Sequence, residues 1–226
     1  KTHTGLNLIN GQTYYVGVKA KDGAGWWSAV GVSDGITVDL PGITIEPTSG
    51  LVTTEAGGTA TLTIVLESQP TADVTMALSS SNTTEGTVKP TSVNFTKTNW
   101  NTPQMGTVTG TDDSVDDGDV VYAILTSEAV SSDSNYSGLN PPDVAVTNRD
   151  DETAGITVNP ISLNVQEGGI GKAYEVVLES QPMADVVFTA SPGGQIQVDK
   201  KMLTFTGADW NVPQTVTVVA VDDDIA

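Results

Sequence analysis

The sequence predicts an all-β protein built from tandem immunoglobulin-like β-sandwiches, incomplete at both ends, and three observations carry that prediction. A long block of residues occurs twice in the same order. Within each copy, apolar and polar residues alternate with a period of two, the pattern of a strand with one buried face. No stretch carries the 3.6-residue period of an amphipathic helix.

The repeat is read first because it decides the architecture. Ile43-Thr44-Ile45-Glu46-Pro47 returns as Ile156-Thr157-Val158-Asn159-Pro160, and Leu66-Glu67-Ser68-Gln69-Pro70 as Leu178-Glu179-Ser180-Gln181-Pro182. Trp100-Asn101 and Pro103-Gln104 return as Trp210-Asn211 and Pro213-Gln214, and Asp112-Asp113 as Asp222-Asp223. The spacing drifts only slightly along the block, so the copies differ by short loop deletions.

In the first copy, strands are expected over 43–54 (interrupted between Pro47 and Gly50), 59–67, 73–79, 87–95, 104–110, 119–128 and 142–149. Ala60, Leu62, Ile64 and Leu66 supply one buried face, and Val74, Met76 and Leu78 another. Turns rich in Gly, Pro, Ser and Asn separate these runs, as in a seven-stranded sandwich. The second copy shows the same alternation at Val176 and Leu178, then Val186, Phe188 and Ala190, and Ala226 follows its fifth strand. The expected domains are therefore 1–41, 42–152 and 153–226, the outer two being parts of sandwiches within a longer chain.

Composition narrows the function classes. With 9 Lys and Arg against 28 Asp and Glu, the net charge is −19. Such a chain is repelled by nucleic acid and by anionic membrane surfaces, which are recognised through clustered basic residues. No apolar run approaches the ~20 residues of a membrane span. Cysteine is absent, so neither disulfides nor thiolate metal sites hold the fold. Catalysis is not expected: the one His, His3, lies outside the repeats, and no Gly-x-Ser-x-Gly elbow occurs. Trp100 and Trp210, at matching places, read as packing residues. Trp26-Trp27 is either sandwich packing or a carbohydrate contact.

The carboxylates are clustered by topology. In a seven-stranded antiparallel sandwich, alternate connections emerge at one end. In the first copy those places hold Glu55, then Glu85, then Asp112, Asp113, Asp116, Asp117 and Asp119, then Asp150, Asp151 and Glu152. Close carboxylates repel unless protons or a cation neutralise them. Calcium, a hard ion taking roughly six to eight oxygens in irregular geometry, suits such a set, whereas zinc lacks its His and Cys ligands. An EF-hand does not fit: counting from Asp113, the third position is Val115 and the twelfth is Ile124. The alternative is a solvated acidic loop without metal.

Glu55-Ala56-Gly57-Gly58, Asp112-Asp113 and Asp150-Asp151-Glu152 together resemble the Calx-beta domains of large bacterial extracellular proteins. Leu8, Gly11, Tyr14, Val18 and Ala20 with Ala24-Gly25-Trp26-Trp27-Ser28 resemble the last third of a fibronectin type III domain, whose final strand would run from Gly35 to Asp39. The first resemblance implies calcium ligands at Glu55, Asp112, Asp113, Asp117, Asp150 and Asp151, with a main-chain carbonyl from Val115. Ser114 departs from the family's third Asp, Glu85 matches only loosely, and the second copy has no acid in Ser191-Pro192-Gly193-Gly194. It also implies a non-enzymatic spacer or adhesion module at the cell surface, whose partners are neighbouring domains of the chain or identical chains in a fibre. Two other roles fit: an accessory region of a large secreted hydrolase, and a carbohydrate-binding module.

Overall fold

The computed structural model describes residues 8–9, 11–38 and 40–223; His3 and Asp39 lie outside them. Every regular element among the described residues is a β-strand. The N-terminal part holds four two-residue strands, β1 (Thr13–Tyr14), β2 (Gly17–Val18), β3 (Gly31–Val32) and β4 (Ile36–Thr37). They form two small antiparallel ribbons, β1 with β4 and β2 with β3. None of its described residues is buried. Trp26 and Trp27 are both exposed, at 76% and 62%, so neither serves as the packing residue of a closed sandwich.

The first repeat is a complete two-sheet sandwich. Its strands are β5 (Ile43–Glu46), β6 (Leu51–Thr54), β7 (Thr59–Leu66), β8 (Val74–Ser80) and β9 (Gly86–Lys89). They continue with β10 (Ser92–Phe95), β11 (Gln104–Gly110), β12 (Val120–Thr126), β13 (Val130–Ser131) and β14 (Val144–Arg149). One sheet has the order β5-β7-β11-β9; the other runs β10-β8-β12-β14-β6, with β13 added to β8.

Two expected strands are each divided between the sheets. The run 43–54 breaks at Pro47 to Gly50, leaving β5 on β7 and β6 on β14. The run 87–95 breaks at Pro90, leaving β9 on β11 and β10 on β8. Proline cannot donate to a ladder, so each break is where the chain crosses between sheets.

The inner faces carry the core. Leu62, Ile64, Val108, Ile124 and Val144 are wholly buried, with Phe95, Met76, Leu78 and Val146 packed among them. Each such side chain contributes about 1.5–3 kcal/mol over its exposed state. Trp100 packs at the core's margin, and its carbonyl accepts the Leu66 N–H at 3.1 Å; in the second repeat Trp210 receives Leu178 in the same way at 3.2 Å. The two tryptophans are thus equivalent packing residues.

The connection after β13 is more ordered than its polar sequence suggests. Tyr136 is 1% exposed and its hydroxyl donates to the Ser68 carbonyl at 2.6 Å while accepting the Ser68 N–H at 3.1 Å. Asp133 accepts N–H groups from Thr71 and Asn135, which hold its carboxyl below the usual range.

The second repeat supplies β15 (Ile156–Asn159), β16 (Lys172–Leu178), β17 (Val186–Thr189), β18 (Ile196–Val198), β19 (Met202–Phe205) and β20 (Gln214–Ala220). One sheet, β15-β16-β20-β18, copies β5-β7-β11-β9. Its partner sheet is only the ribbon β17–β19. Its core is correspondingly smaller, centred on Val176, Phe205 and Val216, with Phe188 edge-on to Phe205 at 6.0 Å.

Tyr136→Phe is expected to destabilise the first repeat by about 1–3 kcal/mol, because it leaves the buried Ser68 main chain without its partner. Urea unfolding should show a lower midpoint with an unchanged slope.

Candidate metal centre

The acidic end of the first repeat is assembled by a strand pairing. β6 lies parallel to β14, with Thr54 opposite Arg149. The ladder continues one step further, where the Glu55 N–H donates to the Arg149 carbonyl at 3.0 Å. Glu55 is thereby set beside Asp150, the first residue beyond β14. The turn that follows it closes through Gly57 and Gly58, both donating to the Thr54 carbonyl at 3.1 Å. Gly57 has φ +80, a conformation that side chains disfavour.

Beneath this end lies a buried polar layer. Thr53 donates to Asn148 Oδ1 at 2.9 Å, and Asn148 Nδ2 donates to the Thr111 carbonyl at 3.1 Å and towards Glu85 Oε2 at 3.5 Å. A Cβ at Gly86 would collide with the Tyr122 hydroxyl of the same layer. Glu85 therefore does face this end, but as a buried member of the polar layer, outside the clustered carboxylates.

Two carboxylate groups form. Oxygen atoms of Glu55, Asp150 and Glu152 all lie within 4.8 Å of one another, and so do those of Asp112, Asp151 and Glu152. Glu152 belongs to both. Glu55 is 2% exposed, and the Oε2 atoms of Glu55 and Glu152 are buried without a hydrogen-bond partner. An ionised carboxyl only accepts hydrogen bonds, so this facing pair is satisfied by a shared proton or by a cation between its oxygens. Among the described residues, no comparable cluster forms in the second repeat.

The electrostatics agree with the geometry. Burial, then the contact with Glu152, then the negative charges of Asp113, Asp150 and Glu152 push the Glu55 carboxyl up to about 8. Burial also raises Glu152, with Asp151, Asp112 and Asp150 adding to the rise and the contact with Glu55 opposing it. Asp117 is raised by burial and by Asp113 and Asp150. Asp150 goes the other way: burial opposes its ionisation, yet the N–H groups of Gly118 and Glu152 hold it below its ordinary value. It is the fixed anion around which the others are placed.

The predicted ligand residues thus fall at one end. Glu55, Asp112, Asp150 and Asp151 enter the two groups directly. Asp113 and Asp117 act on them through charge, and Asp113 Oδ1 also accepts the Val115 N–H at 2.7 Å. Val115 lies at the junction with the second repeat, where it helps line a cavity of about 420 Å³ with Ile156, Leu178 and Phe188. Glu152 was not among the expected ligands; its place in the Asp150-Asp151-Glu152 run was the signal. The same loop touches the linker, through Asp116 Oδ2 accepting the Ala154 N–H, and the second repeat, through Ser114 O accepting the Gln181 N–H.

No protein-family model and no curated protein matches the chain. Several solved structures are similar in shape. The CBD12 region of CALX1.2 has a TM-score of 0.40 and 14% identity over 81% of this chain and 76% of its own. The calcium binding domain CBD12 of CALX1.1 has a TM-score of 0.38 and 15% identity over 80% and 76%. Domains 5-6 of the S-layer protein SbsC have a TM-score of 0.26 and 16% identity over 81% and 85%.

Without metal, folding holds a proton on Glu55 up to about pH 8, whereas the unfolded chain releases it near 4.5. The folded state binds the extra proton between those values, so stability falls as pH rises across that window. The first repeat is expected to melt at a lower temperature at pH 8 than at pH 5 in the presence of a chelator. Glu55→Gln, which keeps the shape and removes the ionisation, should flatten that profile.

Proposed function

We propose that this chain is a calcium-stabilised structural spacer of a secreted or cell-surface multidomain protein, without catalytic activity. The observation that carries the calcium reading is buried Glu55 facing half-buried Glu152, with the buried Oε2 atom of each lacking a hydrogen-bond donor. Glu55, Asp112, Asp150, Asp151 and Glu152 would hold the ion, and Asp113 and Asp117 would add negative charge beside it. A hard dication with flexible coordination fits an all-oxygen set of this kind. It would supply neutralisation rather than chemistry, letting the Asp112–Asp117 loop, the end of β14 and the turn at Glu55 close on one another.

The spacer reading rests on the join between the repeats. Residues 150–155 are the whole connection between β14 and β15, and the acidic loop hydrogen-bonds to that connection and to the second repeat beyond it. A cation at this point stiffens the joint by removing the repulsion that would drive the loop away. Stacked modules then hold a functional domain at a distance or build a fibre with identical chains. No helix among the described residues is long and apolar enough to cross a membrane. A second reading, ligand binding, is favoured by the exposed Trp26 and Trp27; Lys21 Nζ lies 5.5 Å from the Trp27 ring centre, so Trp26 offers the freer face to a sugar.

Extracellular calcium modules bind with dissociation constants of about 10⁻⁴ to 10⁻³ M. At millimolar calcium, the tighter end of that range adds on the order of 2 kcal/mol, raising the melting temperature of the first repeat by roughly 4–8 °C per kcal/mol. Magnesium, which keeps its water and demands octahedral geometry, should do far less. Calcium should release protons between pH 5 and 8 as it displaces the Glu55 proton, measured as a buffer-dependent heat of binding. The double variant Asp112→Asn, Asp113→Asn should lose the calcium response while folding normally. Absence of both heat and melting shift in the wild type means a solvated acidic loop. Turnover of glycoside, ester or peptide substrates by the purified chain would overturn the non-enzymatic reading.

A further inference from the structure

The buried polar layer beneath the acidic end brings a nucleophile, a carboxamide and a carboxyl together out of water. Thr53 and Asn148 are direct partners in the parallel β6–β14 ladder, and each is 1% exposed. The Thr53 hydroxyl donates to Asn148 Oδ1 at 2.9 Å. On the other side of the same carboxamide, Nδ2 donates to the Thr111 carbonyl at 3.1 Å and towards Oε2 of buried Glu85 at 3.5 Å. Tyr122, also buried, brings its hydroxyl to 3.3 Å from Thr53 Oγ1.

The main chain fixes these groups in place. Glu85 immediately precedes β9, and its carbonyl accepts the Thr111 N–H at 3.0 Å. A Cβ at Gly110 would collide with Asn148 Oδ1 and with the Thr54 carbonyl, so a glycine is what lets β11 approach the carboxamide. The second repeat keeps this frame and changes the chemistry. There the Gln195 carbonyl accepts the Val221 N–H at 3.0 Å, so Gln195 stands in the place of Glu85. Counting back from Glu167, the match of Glu55, puts Val165 in the place of Thr53. The hydroxyl and the carboxyl are thus replaced together, whereas the neighbouring core pair Val88–Val108 returns as Val198–Val218.

We propose that the first repeat cross-links itself through an ester between Thr53 Oγ1 and Asn148 Cγ, with Glu85 as the proton carrier. Oγ1 bonds to Cγ, the Cγ–Nδ2 bond breaks, and the nitrogen leaves as ammonia. The proton lost by Oγ1 is matched by the one gained by Nδ2, and Glu85, facing Nδ2, passes it on. No oxidant, reductant or outside reactant takes part. Holding the hydroxyl against the carboxamide in one ladder makes an otherwise slow attack on an amide intramolecular. Burial of all three groups keeps water from competing for the same carbon. Burial first, against the hydrogen bond with Thr53, and then the charge of Glu85 raise the Tyr122 hydroxyl, so it remains a donor beside the reacting oxygens. The reaction happens once per chain and is not turnover of an external substrate. It joins β6 to β14 covalently in a chain without cysteine, and it stands apart from the calcium reading.

Intact-mass spectrometry of the purified full chain reads the reaction directly. The folded wild type is expected to weigh less than its sequence by one ammonia, and proteolysis should release the Thr53 peptide joined to the Asn148 peptide. Hydroxylamine, which cleaves esters and spares ordinary amides, should separate the two. Thr53→Val should restore the full sequence mass, and Thr53→Ser, which keeps a hydroxyl, should lose ammonia again. Glu85→Gln is expected to slow the mass loss by about 10²-fold or more. Circular dichroism checks that each variant is folded. The full sequence mass in the folded wild type overturns the proposal and leaves Thr53 and Asn148 joined by a hydrogen bond alone. So does an ammonia loss that persists in Thr53→Val, which would place it at another asparagine.

Discussion

The parallel pairing of β6 with β14 is the constraint from which the acidic end follows. A parallel neighbour brings both strands to their ends at the same edge of the sheet, so the residues just beyond them meet. Here those residues are Glu55 and Asp150, with Glu152 two positions on. The backbone ladder, an interaction of many bonds, forces together carboxyls that would otherwise separate. Burial first, and then the contact with Glu152 and the neighbouring negative charges, appear as a raised proton affinity at Glu55.

That pairing also explains which parts were legible in the sequence. Strand existence was readable because alternation at Leu62-Ile64-Leu66 or Val74-Met76-Leu78 reflects one-sided burial, a local pattern. The sheet to which each half of 43–54 and 87–95 belongs was not, since crossing between sheets depends on partners far along the chain. The convergence of Glu55, Asp112, Asp150 and Asp151 could be inferred from topology. Glu152 could not be separated from its neighbours in that way, because the direction of a side chain just past a strand is set by local turn geometry; here its N–H bends back to Asp150. Tyr136 was missed for a related reason: an isolated aromatic in a polar stretch has no period to reveal that it is buried against Ser68.

The loop between β11 and β12 has two faces. Its carboxylates at Asp112, Asp113 and Asp117 look towards the first repeat, while Ser114 and Asp116 hold main-chain groups of the linker and of the second repeat. Residues of opposite duty alternate within six positions. The composition of the loop is thus not explained by solubility alone: an acidic run of the same charge but different order would not set a carboxylate at position 116 against the Ala154 N–H.

The direction of β6 and β14 has a mechanical meaning as well. Tension that enters the first repeat through β5 and β6 and leaves through β14 pulls two adjacent parallel strands in opposite senses along their length. The load then falls in shear on the ladder from Leu51–Val146 to Thr54–Arg149, whose bonds must yield together rather than one at a time. The carboxylate cluster sits at the end of that same ladder, where a bridging cation would act as a clasp on the seam that bears the force.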